Sequence, residues 1–346
     1  MLTNNIDNQP LISVVMSNHN TPLNFLKKSI NSILNQTYSN FEFIIVDDAS
    51  TDDSVEIIKS FNDPRIKLIC NKQNLGLTRS LNKAFSICKG KYIARMDSDD
   101  VSFPKRFEKQ LEFMENNKNT IVCGTWAEVI DEADNLRSWE FKHETIEDMD
   151  SYRIRLLFSN NPLLLHPSAF FNRNLLLKYN ISYDEQYEYA QDYQMWVNCS
   201  THANCNTIQE YLLQYRTHRL AATESKRDMQ DFYACQIIQK QLDSLHLTLT
   251  DETRPIHFRM LTRLKPYDSK TKQWIVTLIK ANKKYKVYNQ KKLKKILWYR
   301  WSEFCYEELS HSSKFKIISI FLSLSLRNKI NLFKIKWFYM NKKNKK

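Results

Sequence analysis

The chain has 346 residues, of which 42% are hydrophobic and 26% charged, so it can bury one large core or two smaller ones. Its three glycines and eight prolines exclude collagen-like and low-complexity proteins. Its longest apolar run, Ile317–Leu326, is half the length of a bilayer-spanning helix. The polar N-terminus predicts no secretory signal, and seven isolated cysteines without a C-x-x-C pair favour a reducing cytoplasm.

The net charge of +13 is unevenly distributed along the chain. Residues 225–346 contain 28 Lys and Arg against 9 Asp and Glu, whereas residues 1–224 contain 23 against 29. The sequence therefore predicts two regions, 1–224 and 225–346, with net charges of −6 and +19 and with different partners. A basic second region suits nucleic acid, anionic lipid or a phosphorylated substrate.

The first region alternates short β-rich apolar runs with one-sided amphipathic stretches. The predicted strands are Leu11–Met16, Phe41–Asp47, Arg65–Cys70, Tyr92–Asp97 and Ile121–Gly124. The predicted helices are Leu23–Asn35, Ser54–Phe61, Leu77–Cys88 and Pro104–Asn116. This alternation predicts an α/β fold with a mostly parallel sheet flanked by helices, because parallel neighbours need a long crossover.

Polar side chains collect where the predicted strands end. Ligands of open parallel sheets bind beyond the carboxyl ends of the strands. The residues at those ends are Asn18, Asn20, Asp47, Asp48, Asn71, Asn74, Asp97, Asp99 and Asp100. We therefore expect the chemistry at this edge of the sheet. After about residue 225 the pattern changes to long helical stretches rich in Lys and aromatic residues.

The acidic run Met96–Asp100 is the strongest single feature. Its three carboxylates lie within four positions and repel one another, so the arrangement favours a cation. Mg²⁺ or Mn²⁺, held by a few carboxylates with water and substrate phosphates, fits this spacing better than a Ca²⁺ loop. The alternative is helix capping, above all for Asp100 ahead of the Pro104 helix.

A second acidic strand end, Asp47-Asp48, runs into a helix start. A carboxylate there can accept hydrogen bonds from a base or a ribose, as in dinucleotide folds. The chain nevertheless has neither a glycine-rich dinucleotide loop nor a P-loop, so a metal is the expected partner of the phosphates.

These residues together resemble the inverting glycosyltransferases of family 2, which have the GT-A fold. The resemblance covers roughly residues 10–220. Five segments carry it in order, namely Ile12–Asn20, Ser32–Tyr38, Val46–Ser50, Asn74–Leu77 and Ala94–Asp100. The last of these is similar to the D-x-D metal motif of the family.

The resemblance implies a nucleotide diphosphate sugar, most simply a UDP-sugar, as the donor. The donor-binding residues that it implies are Asn18, Asn20, Asp47, Asp48, Asn74, Asp97 and Arg216. The metal ligands that it implies are Asp97, Asp99 and His218, with Mn²⁺ or Mg²⁺ as the ion. Such a cation stabilises the charge that develops on the leaving diphosphate.

Inversion also needs one base to take the proton of the acceptor hydroxyl. The segment Ala190–Trp196 resembles the acidic segment that supplies this base, which maps onto Asp192; Gln191 stands where Glu is frequent. Helix capping is the alternative role for Asp192. His166 resembles a residue of the acceptor side, although a lone His is more often a satisfied core or surface residue.

The C-terminal stretch Ser312–Lys346 is read as an interfacial helix with a polybasic end. Several Lys and Arg near an anionic leaflet predict peripheral attachment at the inner face of the cell membrane. Packing of the helix on the catalytic domain, with a solvated Lys tail, is the alternative.

The sequence thus predicts metal-dependent, inverting transfer of a hexose or N-acetylhexosamine to a hydroxyl of a surface glycan, most simply a lipid-linked one. No nucleic-acid partner is expected. A nucleotidyltransferase on a similar fold and a noncatalytic nucleic-acid-binding protein are the alternatives, the second suggested by the basic region.

Overall fold

A computed structural model of the protein describes residues 10–142, 148–158, 164–218, 227–260 and 269–311. The predicted interfacial helix and polybasic end, Ser312–Lys346, lie outside the described residues. By its internal contacts the chain divides into two compact units, Met1–Met149 with Asn161–Ala234 and Asp150–Asn160 with Cys235–Lys346. The boundary near residue 224 stays a prediction.

One sheet of nine strands organises the first unit. The strands are β1 (Ile12–Asn18), β2 (Phe41–Asp47), β3 (Ile66–Cys70), β4 (Tyr92–Asp97), β5 (Val101–Ser102), β6 (Thr120–Ile130), β7 (Leu136–Phe141), β8 (Phe170–Asn172) and β9 (Asn204–Arg216). Their order is β3-β2-β1-β4-β8-β6-β9-β5, with β7 paired to β6. The pairs among β1 to β4 are parallel, whereas β8 runs antiparallel to β4 and β6.

Eleven α-helices lie in the described part of the chain. They are α1 (Leu23–Leu34), α2 (Ser54–Ser60), α3 (Leu77–Ile87), α4 (Arg106–Asn116), α5 (Met149–Leu156), α6 (Arg173–Lys178), α7 (Gln191–Ser200), α8 (Arg227–Asp243), α9 (Thr253–Arg259), α10 (Ser269–Tyr285) and α11 (Gln290–His311). Within the described ranges, none of these helices has the length and apolar character needed to span a bilayer.

The predicted α/β fold is confirmed. The strands predicted at residues 11–16, 41–47, 65–70 and 92–97 form with ends shifted by two residues at most, and the four predicted helices form as well. The strand predicted at Ile121–Gly124 is longer and runs from Thr120 to Ile130. Strands β5, β7, β8 and β9 were not predicted, because they are short, exposed or polar and lack a clear alternation.

The central strands of the sheet are buried in the core of the first unit. Strand β2 is buried along its whole length, and Ile12, Val14, Val15 and Met16 of β1 are fully buried. Such strands are covered by helices on both faces, which removes their apolar surface from water. A rigid, buried strand holds the polar side chain at its end in a fixed place.

The register of the central strands brings their carboxyl ends together. Asn18 at the end of β1 pairs with Asp47 of β2, and Ser17 pairs with Asp97 of β4. On the other side of the sheet, β9 runs parallel to β6 and pairs with β5, so that Arg216 at its end lies beside Ile130. Two parts of the chain that are far apart in sequence therefore end at the acidic turn after β4.

The described part of the second unit is helical, and a buried polar cluster lies in it. Trp274 donates a hydrogen bond from Nε1 to Nδ1 of His257 at 3.0 Å, and Nε2 of His257 lies 2.9 Å from the carbonyl oxygen of Leu157. Burial lowers the pKa of His257 to about 4, because the charged imidazolium would lose its hydration. This histidine is a neutral structural residue at physiological pH.

At Gly90 the neighbouring backbone leaves no room for a side chain. A Cβ atom at this position would lie 2.5 Å from the backbone nitrogen of Ser13 and 2.8 Å from the carbonyl oxygens of Leu11 and Tyr92. We expect Gly90→Ala to lower the free energy of unfolding by about 1–3 kcal/mol, because backbone atoms must move apart. Urea titration measures this loss of unfolding free energy. Ser86→Ala, on the exposed surface of α3, is the control. Equal denaturation midpoints for the two variants would contradict the prediction.

Candidate active site

Three carboxylates meet in the turn between β4 and β5. Asp97 ends β4, and Asp99 and Asp100 follow in the turn. Each residue offers one carboxylate oxygen, and these three atoms all lie within 4.8 Å of one another. Three negative charges at this separation in a partly buried site repel strongly unless cations or protons compensate them.

Arg95 is one compensating charge inside the protein. It precedes Asp97 by two positions on β4, so both side chains lie on the same face of the strand. Its side chain is 2% exposed, and Nη2 forms an ion pair with Oδ1 of Asp97. Burial raises the pKa of Asp97, and the Arg95 charge opposes that rise. The Nε and Nη1 atoms of Arg95 have no hydrogen-bond partner among the described residues.

Asp100 is the most deeply buried of the three acids. Its side chain is fully buried, and Oδ1 accepts a hydrogen bond of 2.8 Å from the backbone N–H of Arg216. The other oxygen, Oδ2, has no partner within the described part of the chain. Burial, followed by the charges of Asp99 and Asp97, raises the pKa of Asp100 well above its usual range. Helix capping, the alternative role of Asp100, is wrong, because α4 begins at Arg106 behind Lys105 without a side-chain cap.

Arg216 holds this acidic turn from the other side. Its guanidinium donates hydrogen bonds to the carbonyl oxygens of Asp99 and Asp131 at 2.8 and 2.9 Å and to Oδ1 of Asp134 at 2.6 Å. It also lies 4.3 Å above the ring of Phe25. The contacts of this 1% exposed side chain fix the acidic turn. Its expected contact with a diphosphate stays a prediction.

His218 lies beside the acid that the sequence assigns to the metal. Its Nε2 atom is 2.8 Å from Oδ2 of Asp99, and its ring packs against Phe25 at a centroid distance of 5.6 Å. The same nitrogen can donate to Asp99 or bind a cation, depending on protonation. The structure therefore brings all three predicted metal ligands into one place.

The carboxylate of Asp47 organises the neighbouring strand end. Asp47 is 1% exposed; its Oδ1 accepts from Nδ2 of Asn18 at 2.9 Å and from the hydroxyl of Ser50 at 2.6 Å. Its Oδ2 accepts from the backbone N–H of Ser50 at 3.0 Å. These bonds fix the turn from β2 into α2, and they leave the Asn18 Oδ1 atom without a partner in the described structure.

Asp48 holds a different loop, the one that precedes α3. Its Oδ1 accepts from Nδ2 of Asn71 at 2.7 Å and from the backbone N–H of Leu75 at 2.8 Å. Its Oδ2 accepts from the backbone N–H of Gly76 at 2.8 Å. Gly76 has a φ of +86°, which a residue with a side chain adopts only with strain. Asp48 thus has a structural role, because it holds the loop before α3, and this role is independent of any contact with a ligand.

Asn20 and Asn74 lie exposed at the rim of the same edge. Oδ1 of Asn20 accepts from the backbone N–H of Thr51 at 2.8 Å, and Oδ1 of Asn74 accepts from that of Gly76 at 3.0 Å. The Nδ2 atom of Asn20 lies 3.5 Å from Nε2 of His19, and both asparagines lie in loops that the aspartates anchor. The structure therefore brings the predicted donor-binding residues that end or follow strands β1 to β4 to one edge.

Asp192 lies in the first turn of α7 and is partly buried. Its Oδ1 accepts a 2.7 Å hydrogen bond from the backbone N–H of Tyr193. The N-cap position of α7 is Ala190, one residue before the helix, and Asp192 accepts the N–H of Tyr193 within the first turn, so it also has the helix-start role that was the alternative. Burial raises the pKa of Asp192, and its charge in turn raises the pKa of Asp97. The expected base and the acidic turn therefore lie within electrostatic reach of each other.

His166 is a buried neutral residue. Its Nε2 atom lies 2.7 Å from the hydroxyl of Tyr183, and its ring packs edge-on against Trp196 at a centroid distance of 6.1 Å. Burial, together with the Arg95 charge, lowers the pKa of His166 well below its usual range. His166 is therefore a buried histidine whose hydrogen bond is made within the core, which is the more common role of a lone histidine.

The acidic turn fits a divalent cation. Carboxylate oxygens are the ligands that Mg²⁺ and Mn²⁺ prefer, and a buried Asp100 oxygen without a partner is expensive unless something binds it. Asp97, Asp99 and Asp100 each contribute an oxygen to the cluster, and His218 adds a nitrogen beside Asp99. Mn²⁺ accepts such a mixed oxygen and nitrogen set.

Comparison with known proteins decides the family. The model of the family described as Glycosyl transferase family 2 matches residues 13–179. An uncharacterized glycosyltransferase of Methanocaldococcus jannaschii is 38% identical over 254 residues, which cover 72% of this chain and 82% of that protein. The chain belongs to glycosyl transferase family 2. The O-antigen biosynthesis glycosyltransferase WbnJ of Escherichia coli is 34% identical to it, over 62% of this chain and 83% of that one.

Solved structures confirm the fold of this family 2 glycosyltransferase. TarS 1-349 of S. aureus in complex with UDP-GlcNAc superposes with a TM-score of 0.56 at 18% identity, covering 87% of this chain and 91% of that chain. The mannosyltransferase PcManGT of Pyrobaculum calidifontis, in complex with GDP-Man and Mn²⁺, gives 0.53 at 11% identity and covers 94% and 84%. The predicted GT-A fold is thereby confirmed, and the family decides against a nucleotidyltransferase and a noncatalytic nucleic-acid-binding protein.

Three residues of the site were missed by sequence reasoning in this glycosyltransferase. Arg95 carried a usable signal, since it lies two positions before Asp97 on a strand and so on the same face. Ser50 gave a weaker signal as a turn residue three positions after Asp47. Asp134, which binds Arg216 across 82 positions, gave none, because only the pairing of β6 with β9 brings the two together.

The raised pKa values predict how this family 2 chain responds to pH and Mn²⁺. The folded-state pKa of Asp97 and Asp100 is raised, so stability is lost as pH rises from their unfolded value, about 4, through the folded one. A bound Mn²⁺ would compensate the same carboxylates in place of the protons. Its addition is therefore expected to raise the melting temperature more at about pH 8 than at about pH 5.

Differential scanning fluorimetry with Mn²⁺ or EDTA measures this difference. Asp100→Asn is expected to flatten the pH dependence in EDTA, because it removes one buried ionisation while keeping the side-chain shape. Asp52→Asn, at an exposed loop position, is the matched control and is expected to behave as the wild type. A Mn²⁺ effect of equal size at both pH values contradicts the prediction.

Proposed function

We propose that this glycosyltransferase carries out metal-dependent transfer of a hexose or N-acetylhexosamine from a nucleoside diphosphate sugar, with inversion at the anomeric carbon. The observation that carries the proposal is the cluster of three carboxylate oxygens within 4.8 Å, next to the strand ends that hold Asn18, Asp47 and Asp48. The similarity to folds solved with UDP-GlcNAc, and with GDP-Man and Mn²⁺, supports a donor of this class.

The donor binds at the carboxyl ends of β1, β2 and β4. In this proposal Asp47 or Asp48 and the exposed amides of Asn20 and Asn74 contact the base and ribose, with UDP as the simplest nucleotide. Asp97, Asp99 and His218 hold Mn²⁺ or Mg²⁺, which supplies charge stabilisation to the leaving diphosphate. Arg216 keeps the acidic turn in place through the carbonyl oxygen of Asp99 and the carboxylate of Asp134.

Asp192 is the base in this proposal. It takes the proton of the acceptor hydroxyl as that oxygen forms a bond to the anomeric carbon and the bond to the diphosphate breaks. Burial raises the pKa of Asp192, and a carboxylate with a higher pKa is a better proton acceptor. Arg95, whose positive charge opposes that rise, favours the ionised form that the reaction needs.

The acceptor is proposed to be a hydroxyl of a surface glycan, most simply a lipid-linked one, and the enzyme to act at the inner face of the cell membrane. The similarity to an O-antigen biosynthesis glycosyltransferase supports the glycan. The charge of +19 on residues 225–346 supports attraction to an anionic surface.

The donor class is tested by binding of nucleotides with metal. UDP with Mn²⁺ is expected to raise the melting temperature by several degrees, because a ligand that binds only the folded state stabilises it. Release of UDP or GDP from UDP-glucose, UDP-GlcNAc and GDP-mannose then identifies the sugar. Asp99→Asn is expected to remove the metal-dependent shift, with Asp52→Asn as the control. No shift with UDP or GDP in the wild type contradicts the proposed function.

Substitution of Asp192 separates chemistry from binding. We expect Asp192→Asn to lower kcat by about 10²–10⁴-fold, the usual contribution of a positioned base, while the UDP–Mn²⁺ affinity stays within about twofold. Asp251→Asn makes the same chemical change at an exposed position of the second unit, outside the site, and is expected to retain turnover. Near-wild-type kcat in Asp192→Asn would remove this residue from the mechanism.

A further inference from the structure

Helix α3 connects the donor edge to the segment that leads into Asp192. The helix follows Gly76, whose backbone N–H binds Asp48. Through Arg79 in its first turn and Asn82 in its second, it contacts residues 183–185, which precede Asp192 by fewer than ten positions. One rigid element therefore touches both halves of the proposed reaction.

Asn82 makes the main contact between this helix and the segment. Its Nδ2 donates to the carbonyl oxygen of Tyr183 at 2.9 Å, and its Oδ1 accepts from the backbone N–H of the same residue at 3.1 Å. Residues 181–184 have no regular secondary structure, so these bonds stand in for those that a strand partner would make. One side chain thus fixes both polar backbone groups of Tyr183.

The side chain of Tyr183 carries this restraint into the core. It is 2% exposed, packs edge-on against Phe85 of α3 at a centroid distance of 5.3 Å, and bonds through its hydroxyl to His166. The charges of Arg95, Asp192 and Asp97 all act on its phenol, so Tyr183 lies within electrostatic reach of the acids of the proposed site. A shift of the Tyr183 backbone would also displace the following residues of the chain, which lead to Asp192.

We infer that Asn82 is a positioning residue, which holds the segment from Tyr183 to Ala190 in place and thereby sets Asp192 against the donor edge. This inference rests on the proposed function and extends it. Transfer requires the base to be placed closely, and a displacement of about 1 Å can cost about 100-fold in rate. The neighbouring ion pair of Arg79 with Glu185 is exposed at both ends and restrains the segment much less.

A purely structural role of Asn82 makes a different prediction. Loss of its two bonds would then lower the melting temperature, and the folded protein would turn over at the wild-type rate. A positioning role lowers kcat in folded protein and spares the donor site, because Asp48 anchors the loop before α3 independently of Asn82. The ratio of kcat to nucleotide affinity therefore separates the two roles.

The experiment compares Asn82→Ala and Asn82→Asp with Asn117→Ala in the full chain. Asp keeps the acceptor for the N–H of Tyr183 but places a carboxylate oxygen against the carbonyl oxygen of Tyr183 and near Glu185, so it removes the donor bond by a different chemical change and serves as the second variant should Ala fail to fold. Asn117 caps α4 through a 2.8 Å bond to the carbonyl oxygen of Phe113 and lies exposed, which makes Asn117→Ala a matched control. The measurements are kcat with the donor found in the panel and the UDP–Mn²⁺ dissociation constant.

We expect both Asn82 variants to lose about 10- to 100-fold in kcat, with the UDP–Mn²⁺ dissociation constant within about twofold of the wild type. Wild-type kcat in folded Asn82→Ala overturns the inference, and so does a parallel loss of kcat and nucleotide affinity. Failure of the proposed function is a separate result, since the wild type itself would then neither bind UDP–Mn²⁺ nor release nucleotide.

Discussion

The mutual repulsion of three carboxylates at the end of β4 is the constraint on which the rest of the site depends. Asp97, Asp99 and Asp100 lie close together in a partly buried place, where their charges interact more strongly than in water. The protein supplies two buried guanidinium groups, Arg95 against Asp97 and Arg216 along the turn. Burial, and then the charges of the neighbouring acids, nevertheless raise the pKa of Asp97 and Asp100, so the two guanidinium groups do not fully compensate the cluster. In the proposed function a divalent cation would complete the compensation, and the diphosphate of the donor would bind to that cation.

The sheet explains why this cluster lies where a glycosyltransferase can use it. Parallel pairing puts the ends of β1, β2 and β4 side by side, and the aspartates of β2 anchor the loops around them. Strand β9 brings Arg216 to the acidic turn from more than 110 positions away. Helix α3 begins at the donor edge and binds Tyr183, so the donor edge and the segment of Asp192 share one support.

The predictable part of the molecule is the part with strong local signals. The central strands and first four helices follow from apolar periodicity, and the acidic strand ends follow from their position in a parallel sheet. The helix-capping role that local sequence also allowed for Asp100 is wrong, because α4 begins behind Lys105, whereas Asp192 does bind a backbone N–H in the first turn of α7. Arg216 with Asp134, and Asn82 with Tyr183, were beyond prediction, because such pairs depend on which distant segments pack together.

The most direct measurement of the central claim is the position of Mn²⁺ in crystals grown with UDP, located by anomalous scattering. The account predicts one peak in contact with the carboxylates of Asp97 or Asp99, with the diphosphate on its other side. A peak elsewhere, or a bound UDP whose phosphates contact side chains of the protein and no cation, would contradict it.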